Sequence, residues 1–162
     1  MTRHIRDAVA TDHDAVLALN NSATPHVNAL SEVKFAWLVE HAEHFRVCED
    51  EAGLAGFVLT LRSGLKYWSE NYQWFSARYD DFLYLDRVVV ADRIRGQGVG
   101  RAIYHDLQTL IGAQWPRIVL EVNLRPANPA SSAFHEHVGF RHVGIREHAD
   151  GREAVTMMER AT

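Results

Sequence analysis

The chain has a single cysteine. Cys48 has no partner for an internal disulfide, and its place in the apolar-alternating run Phe45-Arg46-Val47-Cys48 predicts a buried, reduced thiol rather than a nucleophile. Long apolar runs are missing as well. No stretch approaches the roughly 18 residues of a membrane span, and Met1-Thr2-Arg3-His4 has no apolar signal core. The expectation is a cytoplasmic protein with no membrane partner. An excess of positive charge is also lacking: 17 Lys and Arg against 21 Asp and Glu leave a net charge of −4, so general attraction to nucleic acid is not expected. Repeats, low-complexity tracts and linker-like stretches are absent, which predicts one domain over residues 1–162.

Within those bounds there is ample core: 47% of the 162 residues are hydrophobic. His4 to Ala8 predicts an opening strand. A first helix follows, capped by Thr11 or Asp12 and apolar at Val16, Leu17 and Leu19. Ser31 predicts the N-cap of a second helix carrying Phe35, Trp37, Leu38 and Ala42. Phe45–Glu49 and Leu54–Leu61 read as a hairpin around Asp50-Glu51-Ala52-Gly53. The connector from Ser63 to Asp81 is rich in aromatics and predicts a helical turn or two. Phe82–Val90 is the strongest strand signal, followed by a helix over Val99–Ile111 and a strand over Arg117–Leu124. A helix from Pro129 to Val138 ends at Gly139, and Phe140–Ile145 with Ala154–Glu159 predict a closing pair of strands around the Asp150-Gly151 turn. The scattered histidines do not suggest a metal. His135 and His137 are two apart on a predicted helix and diverge, and there is no second ligand pair.

The most informative run is Leu85-Asp86-Arg87-Val88-Val89-Val90-Ala91-Asp92-Arg93-Ile94-Arg95-Gly96-Gln97-Gly98-Val99-Gly100-Arg101-Ala102. A strand, a short polar loop, three alternating glycines and a helix start aim backbone N–H groups and the positive end of a helix dipole at one place. That arrangement suits a phosphate. Arg87, Arg93, Arg95 and Arg101 surround the loop in sequence and predict a local basic patch. No lysine follows Gly100, which excludes a P-loop. A dinucleotide fingerprint needs a glycine where Arg101 stands, and Glu121 falls inside its strand rather than at the end where a ribose-binding acid belongs. The pattern that fits is [QR]-x-x-G-x-[GA], met by Arg95-Gly96-Gln97-Gly98-Val99-Gly100.

Preceded by Val88-Val89-Val90, this segment resembles the acetyl-CoA-binding motif of the GNAT superfamily of N-acetyltransferases. A second segment, from Asn128-Pro129-Ala130-Ser131 to His137-Val138-Gly139-Phe140, resembles the downstream helix-to-strand element of the same family. The resemblance implies a mixed α/β fold, with a mostly antiparallel sheet of about six or seven strands flanked by about four helices. It also implies transfer of an acetyl group from acetyl-CoA, without a metal, directly to the amine of a small molecule or peptide, and homodimers are common among members. By similarity, Val88, Val89 and Val90 would pair with the pantetheine amides. Arg95, Gly96, Gln97, Gly98, Val99, Gly100 and Arg101 would cradle the pyrophosphate, and Asn128 would hold the pantetheine arm, cap its helix, or do both.

Two departures from the family leave the proton chemistry open. The tyrosine that usually protonates the departing thiolate is replaced by His135, which reads as a substitute acid, a ligand for the acceptor, or a partly exposed helix histidine. A connector tyrosine is another source of the acid. Glu121 matches a general base of some relatives, but the loop after it is about two residues longer than the common form, and Arg117 offers it an ion-pair partner. Asp86 is either a second candidate base or a structural partner of Arg87 or Arg93. Acceptor choice is expected from Asn20–Asn28 and Tyr67–Tyr79, where Trp74 and Tyr79 could line a pocket or the ring-bearing face could simply pack on the sheet. The missing tyrosine also keeps open a non-catalytic acyl-CoA-binding module.

Overall fold

The computed structural model describes residues 2–24 and 27–162; Pro25 and His26, inside the loop expected to help choose the acceptor, lie outside the described residues. Seven strands form one sheet in the order β1-β2-β3-β4-β5-β7-β6. They are β1 (His4–Asp7), β2 (His44–Asp50), β3 (Gly53–Arg62), β4 (Leu83–Val90), β5 (Arg117–Arg125), β6 (Arg141–Glu147) and β7 (Ala154–Ala161). The helices are α1 (His13–Ser22), α2 (Glu32–His41), α3 (Glu70–Ser76), α4 (Val99–Ile111) and α5 (Pro129–His137). The pairs β1–β2, β2–β3, β5–β7 and β6–β7 run antiparallel, and β4–β5 runs parallel. Mixed α/β architecture is as expected. The helical turn or two expected in the aromatic connector is α3, seven residues long.

The chain divides into two compact units, and β4 contributes to both: residues 1–61 with 85–112, and residues 62–84 with 113–162. In the first unit, α4 buries Val99, Ile103, Tyr104, Leu107 and Ile111 on one stripe, the periodicity of an amphipathic helix. Gly56 lets strand β3 approach closely: a Cβ there would lie 2.7 Å from the Val89 carbonyl oxygen. Ser31 caps α2 as expected, its side chain accepting from Lys34 N at 3.2 Å. Asp12 instead accepts from Val9 N and from Arg6, whose guanidinium holds the Asp12 carboxyl down to about 2.

In the second unit, Tyr67, Tyr72, Phe75, Phe82 and Tyr84 form a buried aromatic cluster, with Tyr72 and Tyr84 meeting edge-on at a centroid distance of 5.3 Å. Tyr72 OH donates to Arg62 O at 2.6 Å and accepts from Leu65 N at 3.0 Å, so the connector is satisfied as well as packed. Helix α5 ends in a Schellman arrangement. Phe140 N donates to His135 O and Gly139 N to Glu136 O, with Gly139 at φ +100° and the Phe140 ring 5.7 Å from His135.

Candidate active site

The glycine loop belongs to the first unit. After β4 a short 3-10 turn (Asp92–Ile94) leads to Gly96 at φ +79° and Gly98 at φ +83°, a left-handed conformation that disfavours any side chain. Gly98 is the N-cap of α4, so the N–H groups at the start of this thirteen-residue helix have no partner within it. Arg3 braces the loop, with Nη2 donating to Gln97 O at 2.6 Å. Arg95 and Arg101 are exposed there, Arg95 paired with Asp92 at 2.7 Å. The structure corrects the rest of the expected basic patch. Arg93 is held bidentately by Asp50, at 2.9 Å on both arms, and also donates to the Gly53 and Leu54 carbonyls. Arg87 is buried; its Nε meets Asp86 Oδ2 at 2.6 Å and its Nη1 donates to Asn20 Oδ1 and Asn28 O. Asp86 is therefore placed as the structural partner of Arg87, its side chain only 2% exposed.

Glu121 belongs to the second unit and has different company. In the parallel β4–β5 pair Tyr84 lies opposite Val119, and Glu121 is the next residue on that face of β5. The Tyr84 hydroxyl consequently sits 2.8 Å from both Glu121 carboxylate oxygens, and Asn71 Nδ2 from α3 donates to Oε1 at 3.1 Å. Arg117, the expected ion partner, is engaged elsewhere: its Nε is 3.6 Å from Glu159, and its guanidinium stacks 3.9 Å over Tyr79. Neither Tyr84 nor Asn71 was marked by the sequence as a site residue. Tyr84 carried a signal, a hydroxyl alternating with Asp86 on a strongly apolar strand, but strand pairing was needed to aim it.

His135 is buried rather than partly exposed. Burial pushes its pKa below the usual histidine range, partly offset by the bond between Nδ1 and Ser131 O at 2.7 Å. With Nδ1–H donated to a carbonyl, the neutral ring has only an acceptor at Nε2. The ring is thus packed at the end of α5 with Nδ1 committed to the backbone. Asn128 caps α5, its Oδ1 accepting from Ser131 N at 3.4 Å.

Trp74 and Tyr79, the candidate pocket residues, each carry an arginine of the chain on the ring face. Arg78 lies 3.4 Å over the Trp74 ring, and a Cβ on Gly144 would come within 2.6 Å of that indole, so Trp74 packs against the β6 backbone. Tyr79 carries Arg117 on its face. No group of three or more His, Cys, Asp and Glu side chains that could hold a metal occurs among the described residues.

The fold as a whole has parallels among solved structures. No curated protein sequence matches the chain. Among solved structures, the ribosomal-protein-S18-alanine N-acetyltransferase from Escherichia coli superposes with a TM-score of 0.75 at 23% identity, over 99% of this chain and 94% of that one. Ard1 from Thermoplasma volcanium gives 0.77 at 19% identity, over 100% and 99%. A chain of the NatC complex bound to Gag peptide and CoA gives 0.79 at 10% identity, over 100% and 99%. Similarity at these identities concerns the fold. The acetyltransferase (GNAT) domain model matches the sequence itself over residues 20–160, a span that includes the glycine loop, Glu121 and the α5 element. The chain therefore belongs to the GNAT family of acetyltransferases.

Proposed function

We propose that this N-acetyltransferase works by direct transfer to an amine, with Glu121 as its general base. The observation that carries the reading is the setting of the Glu121 carboxylate. It is partly exposed on β5 and held by neutral donors, Tyr84 and Asn71, instead of being matched to Arg117. A primary amine is protonated near neutrality and must lose a proton before it can attack, and an oriented carboxylate accepts that proton directly or through water. The balance is simple: an N–C bond forms, the C–S bond breaks, and an ammonium and a thioester become an amide, a thiol and one proton.

Acetyl-CoA would supply an acyl carbon activated by its thiol leaving group. The residues present fit its diphosphate, because Gly96 and Gly98 turn the loop through the left-handed region and α4 presents its positive end with Arg95 and Arg101 beside it. The backbone of Val88–Val90 would pair with the pantetheine amides, as the family resemblance implies. Asn128 uses Oδ1 for its helix, which leaves its Nδ2 group to act as a donor.

Substituting Glu121→Gln tests the assignment. With acetyl-CoA and the best acceptor among spermidine, a short alanine-initiated peptide and a lysine ester, kcat is expected to fall by about 10²-fold or more, and the acidic limb of the pH profile to vanish. Calorimetric binding of acetyl-CoA should be unchanged. Wild-type turnover by this variant from pH 6 to pH 9 would remove Glu121 from the mechanism.

A further inference from the structure

Glu121 lies at one end of a hydrogen-bonded chain within the second unit. Asn71 Nδ2 donates to Glu121 Oε1 at 3.1 Å, and Asn71 Oδ1 accepts from Arg146 Nε on β6 at 2.6 Å. The other arms of Arg146 are also placed: Nη1 donates to Glu70 Oε2 at 2.9 Å, and Nη2 donates to His148 Nε2 at 3.1 Å. The Arg146 side chain is 16% exposed, whereas Glu70 is 74% exposed, so the guanidinium sits inside the network rather than at its rim.

The chemistry of the two ends fixes the amide between them. A guanidinium only donates, so it accepts no other end of Asn71 than the carbonyl; an ionised carboxylate only accepts, so it requires the NH2 group. Both demands are met by one orientation of Asn71, and the flipped amide would set N–H against N–H and O against O. We infer that Arg146 and Asn71 are positioning residues for the base: Arg146 fixes the Asn71 amide, and Asn71 orients the Glu121 carboxylate. The inference rests on reading Glu121 as the base. A purely mechanical role for Arg146, fastening α3 to β6, does not call for this bond, since Trp74 of α3 already seats against Gly144 of β6.

The groups that face the relay are Tyr84 on β4, Glu70 on α3, and Arg146 and His148 from the β6 side, with Glu153 3.2 Å from His148 Nδ1. On β7 the residue opposite Glu121 is the apolar Met157. Loss of the Asn71 donor therefore acts on the carboxylate with the other charges left in place.

The test follows the Glu121 side-chain carboxyl carbon by NMR titration in the full-length protein, with its resonance assigned by Glu121→Gln. Asn71→Leu should raise the Glu121 midpoint by about one pH unit, the value of one hydrogen bond to a charged group. Asn71→Asp keeps the acceptor for Arg146, and so the anchor of α3, but sets a like charge beside Glu121 and should raise the midpoint further. Arg146→Met should raise it less and lower kcat about 10-fold, with the KM for acetyl-CoA within about twofold of wild type. Arg146→Lys should not restore turnover, because a point charge cannot hold Asn71, Glu70 and His148 together. An unmoved midpoint in both Asn71 variants overturns the relay while leaving the base in place. Full activity in Glu121→Gln overturns the base, and the relay with it.

Discussion

Asp86 and Arg87 show what a buried charge demands of its neighbours. Their side chains are 2% and 7% exposed, and Arg87 also draws on Asn20 and the Asn28 carbonyl. Removing one member of such a pair strands the other in a low-dielectric interior. Asp86→Leu alone is expected to destabilise the protein by about 3 kcal/mol or more, and Asp86→Leu with Arg87→Met to recover most of the loss, as read from urea unfolding. If the double variant folded normally but lost kcat a hundredfold, Asp86 would return as a base. Sequence marks Asp86 and Glu121 as candidates without showing which charge each meets. Arg117, Val119 and Glu121 share one face of β5, so an Arg117–Glu121 pair was a sound expectation. Pairing with β7 instead sets Val119 opposite Glu159, and Arg117 turns to that carboxylate. A partner that arrives from a distant strand is invisible in local spacing.

At the scale of elements, local signals served best where they were self-sufficient. The bounds of α4 follow from a glycine start and an apolar stripe, and those of α5 from Asn128-Pro129 at one end and Gly139 at the other. Helix α3 was harder to read. Its buried Tyr72 and Phe75 are explained by packing on Phe82 and Tyr84, not by a seven-residue periodicity. The two ends of α4 provide a controlled experiment. Gly98 (φ +83°) and Gly112 (φ +53°) both have positive φ, with no close contact at either site. Alanine at each should cost about 1–3 kcal/mol in thermal or urea unfolding. Only Gly98→Ala should also weaken acetyl-CoA binding, by about 10-fold or more in calorimetry, because only that end presents free N–H groups to a diphosphate. Equal affinities in the two variants would count against the loop as the anion site.

For the whole molecule, acid should act in two stages. Burial lowers the pKa of His44 and of His135, so the unfolded chain binds protons more readily than the folded one just below the ordinary histidine value of about 6.5. That stability is complete above about pH 6.5 and drains as pH falls. Asp12 and Asp50 are lowered by Arg6 and Arg93; Glu159 is raised by burial but lowered more by Tyr79 and Arg141. Their contribution is complete above the ordinary carboxylate range of about 4 and is lost as pH falls through the lowered values, about 2 for Asp12. Urea midpoints measured from pH 8 to pH 3 should drop first between about pH 7 and 5, then again below about 4. A flat midpoint between pH 7 and 5 would mean that the histidines contribute nothing. Fold class and family were legible from two motifs because they are contiguous in sequence. The division of the chain into two units was not, because each unit is assembled from separated segments. That discontinuity bears on how the polypeptide is made: during synthesis the first unit has all its residues once position 112 has left the ribosome, whereas the second must wait for β7 at positions 154–161. The nascent protein is thus expected to complete the unit that carries the glycine loop well before the unit that carries Glu121.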